Sequence, residues 1–192
     1  RLHARLVRDG TKWLLRDLNS KNGIRFNGVR TRRTETVLEP GDEIGIGGIT
    51  LIAESSRWIE LRGFLARILG WRSDRIEVVD HALRSIRMAT TRRIELVLCG
   101  DGDLVPIARA IHRRALGVDP PFIGCDPRRR QSKATVRSAE NYETGMSAFA
   151  AATGGSLCMR SLRFPRDFRS VITALREPNS KVQLVVCTQA SD

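Results

Sequence analysis

The sequence predicts two domains of different class. Residues 1–55 read as part of an all-β sandwich, and residues 93–192 as an α/β domain on a parallel sheet, with helices at 56–92 joining them. Three observations carry this. Up to residue 54 the chain breaks into short, partly alternating apolar runs separated by Gly, Asn, Asp or Pro, the grammar of strands and tight turns. From Ser56 apolar residues recur at helical spacing with Arg between them. From residue 94 continuous apolar runs alternate with helical stretches, as expected of parallel strands linked by right-handed crossovers.

In the first part the strands are "HARLVRD", "KWLLRDL", "GIRFNG", "TETVLEP", "DEIGIGG" and "ITLIAE". Asn-Gly pairs at 22–23 and 27–28 let the backbone reach positive φ at little cost between them. Six short strands at this spacing form most of a sandwich. Two helices follow, "SRWIELRGFLARILGW" and "SDRIEVVDHALRSIRMATTRR", divided at Gly70 and Trp71. Ser73-Asp74 reads as the N-cap of the second, and Ile76, Val79, Leu83, Ile86 and Thr90 share one face. The remainder alternates strand "IELVLCG", helix "DLVPIARAIHRRALG", strand "PFIGCD", helix "YETGMSAFAAATGG", strand "SLCMRS", helix "FPRDFRSVITALRE" and strand "KVQLVVCT". Pro106 is tolerable only in the first turn of its helix.

A chain of 192 residues with 41% apolar content can bury a real core. Its formal net charge of +12, carried mostly by Arg, attracts nucleic acid, acidic lipid or phosphorylated protein. The charge is spread along the chain, with "RRR" at 128–130 its longest run, as on a solvated Arg-rich surface. No run approaches the ~18 apolar residues of a membrane span, and no secretory leader is expected. A soluble, cytoplasmic protein without a membrane partner is expected. Arg1 is no initiator Met and "RLHARLV" reads as a strand in mid-domain, so the chain is expected to be a fragment. Cys99, Cys125, Cys158 and Cys187 fit no zinc spacing and each closes an apolar run. They read as core thiols in a reducing compartment, and no metal or other cofactor is expected.

"RLHARLV…WLLRDLNSKNGIRFNGVR…LEPGDEIGIGGITLIAE" resembles the C-terminal two-thirds of a forkhead-associated (FHA) domain. That family carries S-R-x-H, then D-L-x-S-x-N-G-x-x-x-N-G, then G-D-x-I-x-I-G. The resemblance implies an eleven-strand β-sandwich whose loops bind phosphothreonine on partner proteins. It places Arg1, Ser20, Lys21, Asn22 and Gly23 in the phosphopeptide site, with Asn22 holding the partner's backbone. His3 would brace the loops from inside, and Asn27 and Gly28 would support them. The chemistry agrees: a phosphate dianion calls for N–H groups, hydroxyls, amides and cations, which Ser20, Lys21 and Asn22 can offer from one turn. Ordinary turn chemistry would use the same residues. The family's Gly-Arg on an earlier strand has no counterpart in this chain.

The α/β half resembles the ATPase domain of the bacterial enhancer-binding proteins, the AAA+ activators of sigma-54 RNA polymerase, in "ARAIH", "PFIGCD", "FAAATGGSL" and "VQLVVCT". The resemblance implies a truncated AAA+ domain without its lid, and the chemical residues have changed. A P-loop needs G-x-x-x-x-G-K-[ST] to wrap phosphates and hold magnesium. The corresponding loop here holds Gly100, Asp101, Gly102 and Asp103, and two carboxylates repel a triphosphate. Arg160 and Ser161 stand where the family has Asp-Glu, Gln189 where it has a polar Asn, and no G-A-F-T-G-A loop lies between 127 and 148. Arg160 reads as a surface residue in solvent or as a retained anion site at the carboxyl end of a strand.

The expectation is a signalling and transcription-regulatory adaptor, with no catalytic residues. Its FHA part would bind a threonine-phosphorylated protein downstream of a Ser/Thr protein kinase, and its inactive ATPase-like part would offer a second surface to the transcription machinery. The rivals are an ATP-dependent sigma-54 activator, which needs a Lys and an acidic pair, and a DNA-binding regulator, motivated by charge.

Overall fold

The computed structural model describes residues 2–10, 12–31, 35–70, 73–136 and 138–190. The chain divides into two compact units, Arg1–Ile59 and Glu60–Asp192.

In the first unit, β1 (Ala4–Asp9), β2 (Lys12–Asp17) and β5 (Thr36–Leu38) form one antiparallel sheet in the order β1-β2-β5. β3 (Ile24–Phe26), β4 (Val29–Thr31), β6 (Glu43–Ile46) and β7 (Ile49–Ile52) form a second, in the order β4-β3-β6-β7. Leu15, Ile24 and Ile44 are buried between them, with Ala4, Phe26, Leu38 and Ile46 packed around. Alternation along β2 sends Leu15 inward and leaves Arg16 outside to pair with Glu35. β4 is a seventh strand that the sequence pattern did not reveal. It is only three residues long and its burial is slight. What creates it is the turn before it: Asn27 (φ 49°) and Gly28 (φ 80°) are both left-handed, which folds a two-residue hairpin back on β3.

The boundary falls inside α1 (Ser56–Leu69), whose residues from Glu60 belong to the second unit; there Leu61 and Leu65 are buried, and Arg62 pairs with Asp80 of α2 at 2.6 Å. α2 (Ile76–Arg92) buries Val79, Leu83, Ile86, Ala89 and Thr90. Ile76, expected on that face, is 52% exposed because it stands at the helix start, before the packed turns. The expected Ser73-Asp74 cap is replaced by a 3-10 turn over Ser73–Arg75, with Arg75 at the N-cap position. Such a turn supplies carbonyls close to the first N–H groups without a side-chain cap.

Five parallel strands make the sheet, in the order β10-β9-β11-β12-β8: β8 (Leu96–Cys99), β9 (Phe122–Cys125), β10 (Glu140–Tyr142), β11 (Ser156–Arg160) and β12 (Gln183–Thr188). β11 lies centrally, and its side chains alternate between two cores. Leu157 and Met159 join Ile123, Ala148 of α4 (Gly145–Ala151) and Val171 of α5 (Phe168–Leu175). Cys158 joins Val185, Cys187 and Ala108 of α3 (Val105–Ala115) on the opposite face. Pro106 sits in the first turn of α3, as its missing N–H requires.

β10 was hidden in the sequence because its centre is the buried polar Asn141. The helix expected from Tyr142 onward is correspondingly shorter. α5 also starts late: Phe164 stacks on Phe168 at 4.1 Å while residues 161–163 form a 3-10 turn. Cys125, Cys158 and Cys187 are buried free thiols, and burial above all pushes Cys125 up to about 11. Cys99 is exposed, contrary to expectation, because β8 is an edge strand. Among the described residues no helix is long and apolar enough to cross a membrane.

Two contacts lock the entry to β11. A Cβ on Gly155 would fall 1.9 Å from the Pro121 carbonyl oxygen, which also accepts the Ser156 N–H at 2.9 Å, so only glycine fits. Buried His112 bonds through Nε2 to the Pro120 carbonyl at 2.9 Å, so this nitrogen carries the hydrogen and Nδ1 accepts from Ser156 Oγ at 2.8 Å. Burial lowers the pKa of His112, and the fields of Arg93, Arg109 and Arg113 add to that, outweighing the Pro120 bond. The unfolded chain takes up this proton near 6.5, whereas the folded chain resists to lower pH. The resulting stability is therefore full above pH 6.5 and is lost as pH falls below it. Thermal melts of the chain between pH 7.5 and 5 should show the second unit's midpoint falling with pH, and His112→Gln should flatten that slope.

Candidate functional site

Two places gather the residues singled out by the sequence. The first is the connection from β2 to β3. Asp17, at the end of β2, accepts the Ser20 N–H on Oδ1 at 3.1 Å, and Asn19 takes a left-handed φ of 57°. The Gly23 N–H then closes a turn on the Ser20 carbonyl at 3.3 Å, with Gly23 itself at φ 70°. Lys21 and Asn22 occupy the middle of this turn and are exposed. The Ser20 hydroxyl is not: Oγ is shielded from solvent and has no hydrogen-bond partner among the described residues. The three donors thus share a turn without all facing one way. Arg1 lies outside the described residues. His3 ties the turn through its backbone, its carbonyl accepting the Leu18 N–H at 2.9 Å. Its side chain is exposed and not interior, because Ala4, one residue on, is the one that turns toward the core.

Asn27 holds the adjacent loops together. Its Nδ2 donates to Asp42 Oδ1 at 2.9 Å, and its Oδ1 accepts the Glu43 N–H at 2.8 Å. Asp42 Oδ2 in turn accepts the Glu39 N–H at 2.7 Å. Asp17 and Asp42 were not singled out as site residues, although both stand inside the quoted motifs "RDLNSKNG" and "GDEIGIGG". Their signal is an Asp at a strand boundary next to a turn.

The second place is the carboxyl edge of the parallel sheet, where open α/β folds bind ligands. Asp126, just past β9, is 3% exposed. Its Oδ2 accepts Arg163 Nη1 at 2.9 Å and Arg160 Nη1 at 3.3 Å, and its Oδ1 accepts the Arg128 N–H at 3.1 Å. The other arm of Arg160 reaches Asp103 Oδ1 at 2.8 Å. Asp103 Oδ1 also accepts the Val105 N–H at 3.2 Å, at the start of α3. Two clefts of about 230 and 340 Å³ flank the Asp103–Arg160 pair and share both residues. Arg160 is therefore neither a solvated surface residue nor an open anion site. A buried carboxylate needs counter-charge, and Arg160 and Arg163 supply it. Asp126 and Arg163 were missed because an acid closing an apolar strand reads as a turn residue.

The rest of the expected nucleotide loop is placed at the same edge. The Gly100 N–H donates to the Thr188 carbonyl at 3.2 Å, Asp101 is exposed, and Gly102 is left-handed at φ 78°. Ser161 Oγ donates to Thr188 Oγ1 at 3.1 Å, and the Gln189 carbonyl faces the Cys99 thiol at 3.8 Å. Asp103 and Asp126 are thus paired with Arg160 and Arg163 at this edge. Among the described residues no three His, Cys, Asp or Glu side chains cluster as a metal site.

Residues 1–47 match the FHA domain family. Among solved structures, Mycobacterium tuberculosis EmbR in complex with a low-affinity phosphopeptide is 32% identical over 28% of this chain and 15% of that one, with a TM-score of 0.24. The match thus spans a small part of that protein's length. No curated protein matches the chain.

The two acids of the second place should differ in weight. Asp126→Ala leaves two guanidinium groups against a vacated buried site and should destabilise the second unit by about 3–5 kcal/mol. Asp103, at 58% side-chain exposure, makes a surface pair, and Asp103→Ala should cost at most about 1 kcal/mol. Urea unfolding of both variants checks this.

Proposed function

We propose that the protein is a signalling adaptor in which the FHA part binds a threonine-phosphorylated protein and the α/β unit, inert toward nucleotides, offers a second interaction surface. The observation that carries the first half is the family match over residues 1–47, which includes the Ser20–Gly23 turn. The turn's chemistry supports it. Lys21 and Asn22 are exposed on a backbone braced by Asp17 and the His3 carbonyl, so a phosphorylated segment meets a cation and an amide already in place. Ser20 adds a hydroxyl that rotates outward when phosphate arrives. Leaving it shielded and unpaired costs on the order of 1–3 kcal/mol, and a phosphate oxygen relieves that cost. A Ser/Thr protein kinase is the implied source of the mark.

The reading of the second half rests on Asp103. Its carboxylate occupies the start of α3, where a phosphate-binding loop would present N–H groups to an anion, and it holds Arg160. The loop 100–103 carries no Lys. We read this unit as a degenerate relative of the sigma-54 activator ATPases that has kept a route to the transcription machinery without hydrolysis, in the cytoplasm. Magnesium-dependent ATP turnover by the purified chain should not rise above background. Turnover that disappears on mutating residues 100–103 would overturn this half.

For the first half, fluorescence anisotropy with phosphothreonine peptides should show saturable binding to the chain, and the unmodified peptides should not compete. Asn22→Ala should weaken binding about tenfold, the loss of its neutral hydrogen bonds to the partner's backbone. Ser20→Ala should weaken binding similarly yet raise the first unit's stability by up to about 1–2 kcal/mol, because it removes an unpaired hydroxyl. Ser20→Ala that binds phosphopeptide as the parent does would show that the hydroxyl plays no part in recognition.

A further inference from the structure

The connection from β9 to β10, residues 126–139, carries Arg128, Arg129, Arg130 and Lys133, all exposed. Its backbone is fixed from beneath. Nδ2 of Asn141, a residue 7% exposed, donates to the carbonyls of Asp126 (3.3 Å), Arg129 (3.0 Å) and Arg130 (3.4 Å). The Arg128 N–H is held by Asp126 Oδ1 and the Gln131 N–H by Glu143 Oε1 at 3.2 Å. Ser132 and Asn141 exchange both backbone bonds at 2.9 and 3.0 Å. Arg109 of α3 holds the far end through the carbonyls of Thr135 (3.1 Å) and Val136 (3.4 Å). With these N–H and C=O groups engaged inward, the cationic side chains stand out from a braced loop.

Their charge is left over. Asp126 is already matched by Arg160 and Arg163, and among the described residues neither Glu140 nor Glu143 forms an ion pair with the loop's cations. Among the described residues Arg128, Arg129, Arg130 and Lys133 make no ion pair and no side-chain hydrogen bond. Four like charges within six residues repel one another, and a polyanion laid across them removes that repulsion. Three of the four are Arg, whose planar fork matches phosphate oxygens two at a time. The loop holds no aromatic side chain on which an unpaired base could stack, which favours a duplex over a single strand.

We propose that this loop docks on the phosphodiester backbone of duplex DNA, without regard to base sequence, and that the net charge of +12 steers the approach. The surface lies in the second unit and does not rest on the phosphopeptide reading, so either can fail alone. Anisotropy of a labelled mixed-sequence duplex with the full chain, taken across a salt series, tests it. The logarithm of the association constant should fall with that of salt at a slope of about −3 to −4, as four phosphate contacts give. The triple variant Arg128→Gln, Arg129→Gln, Arg130→Gln should lower that slope's magnitude by about 2–3 and weaken binding at least about tenfold at low salt. A control removing the same charge from exposed helical sites, Arg84→Gln, Arg92→Gln and Arg176→Gln, should change binding less than about threefold. The single variant Arg129→Gln provides the same comparison at one charge should the triple variant melt early. Equal weakening by the loop and control variants would assign the affinity to diffuse charge and overturn the proposal. Tighter binding to acidic phospholipid vesicles, to single strands or to an acidic peptide than to the duplex would also overturn it.

Discussion

A carboxylate buried at the carboxyl end of a parallel strand needs counter-charge beside it, and Asp126 is matched twice. Much of the second unit's carboxyl edge follows from that. Arg160 and Arg163, from the end of β11 and the turn after it, are drawn inward and are no longer free to meet a ligand. The Arg128 N–H is drawn to the same carboxylate and starts the basic loop in a defined direction. Asn141 completes the arrangement by bonding the backbone on both sides of the acid. One buried charge therefore engages the cations at this edge and shapes the neighbouring surface.

The two candidate places, the Ser20 turn and the sheet edge, treat polar groups in opposite ways. In the second unit the side chains at the sheet edge satisfy one another, and Asp103 takes up even the partly exposed arm of Arg160. In the first, the Ser20 hydroxyl has no partner while its neighbours Lys21 and Asn22 face solvent. A satisfied network resists a ligand, since entry must break bonds already made. An unsatisfied hydroxyl beside exposed donors invites one, since binding repairs a deficit. That asymmetry, more than overall charge, is why recognition is assigned to the Ser20 turn and not to the crevice.

Elements built on apolar rhythm were legible in the sequence: β1, β2, β9, β11 and β12 lie where alternation or continuous apolar runs put them, as does the buried stripe of α2. Elements built on polar residues were not. β4 exists because of the Asn27-Gly28 turn, and β10 because buried Asn141 is needed by the loop beneath which it sits. The same blind spot covered the site. Ser20, Asn22 and Arg160 stood out as residue types in suggestive places; Asp17, only three residues from Ser20, read as ordinary turn chemistry, while Asp126 and Arg163 were recognisable only through contacts between distant positions, 37 residues apart. His3 was expected inside, yet its side chain is exposed and its carbonyl accepts the Leu18 N–H.

The same logic divides the chain's surplus of Arg. A net charge of +12 in 192 residues suggests a uniformly basic molecule, yet individual guanidinium groups have different uses. Arg93 holds the Gly154 and Gly155 carbonyls, Arg109 holds Thr135 and Val136, and Arg114 lies over the Phe64 ring at 4.3 Å. Each of these spends its donors or its flat face on the protein itself, where the delocalised ion is cheaper to desolvate than an ammonium. Arg128, Arg129 and Arg130 do none of this. Net charge therefore overstates how much of this protein's cationic surface is available to a partner, and the positions of the unspent cations, not their total, decide where an anion settles.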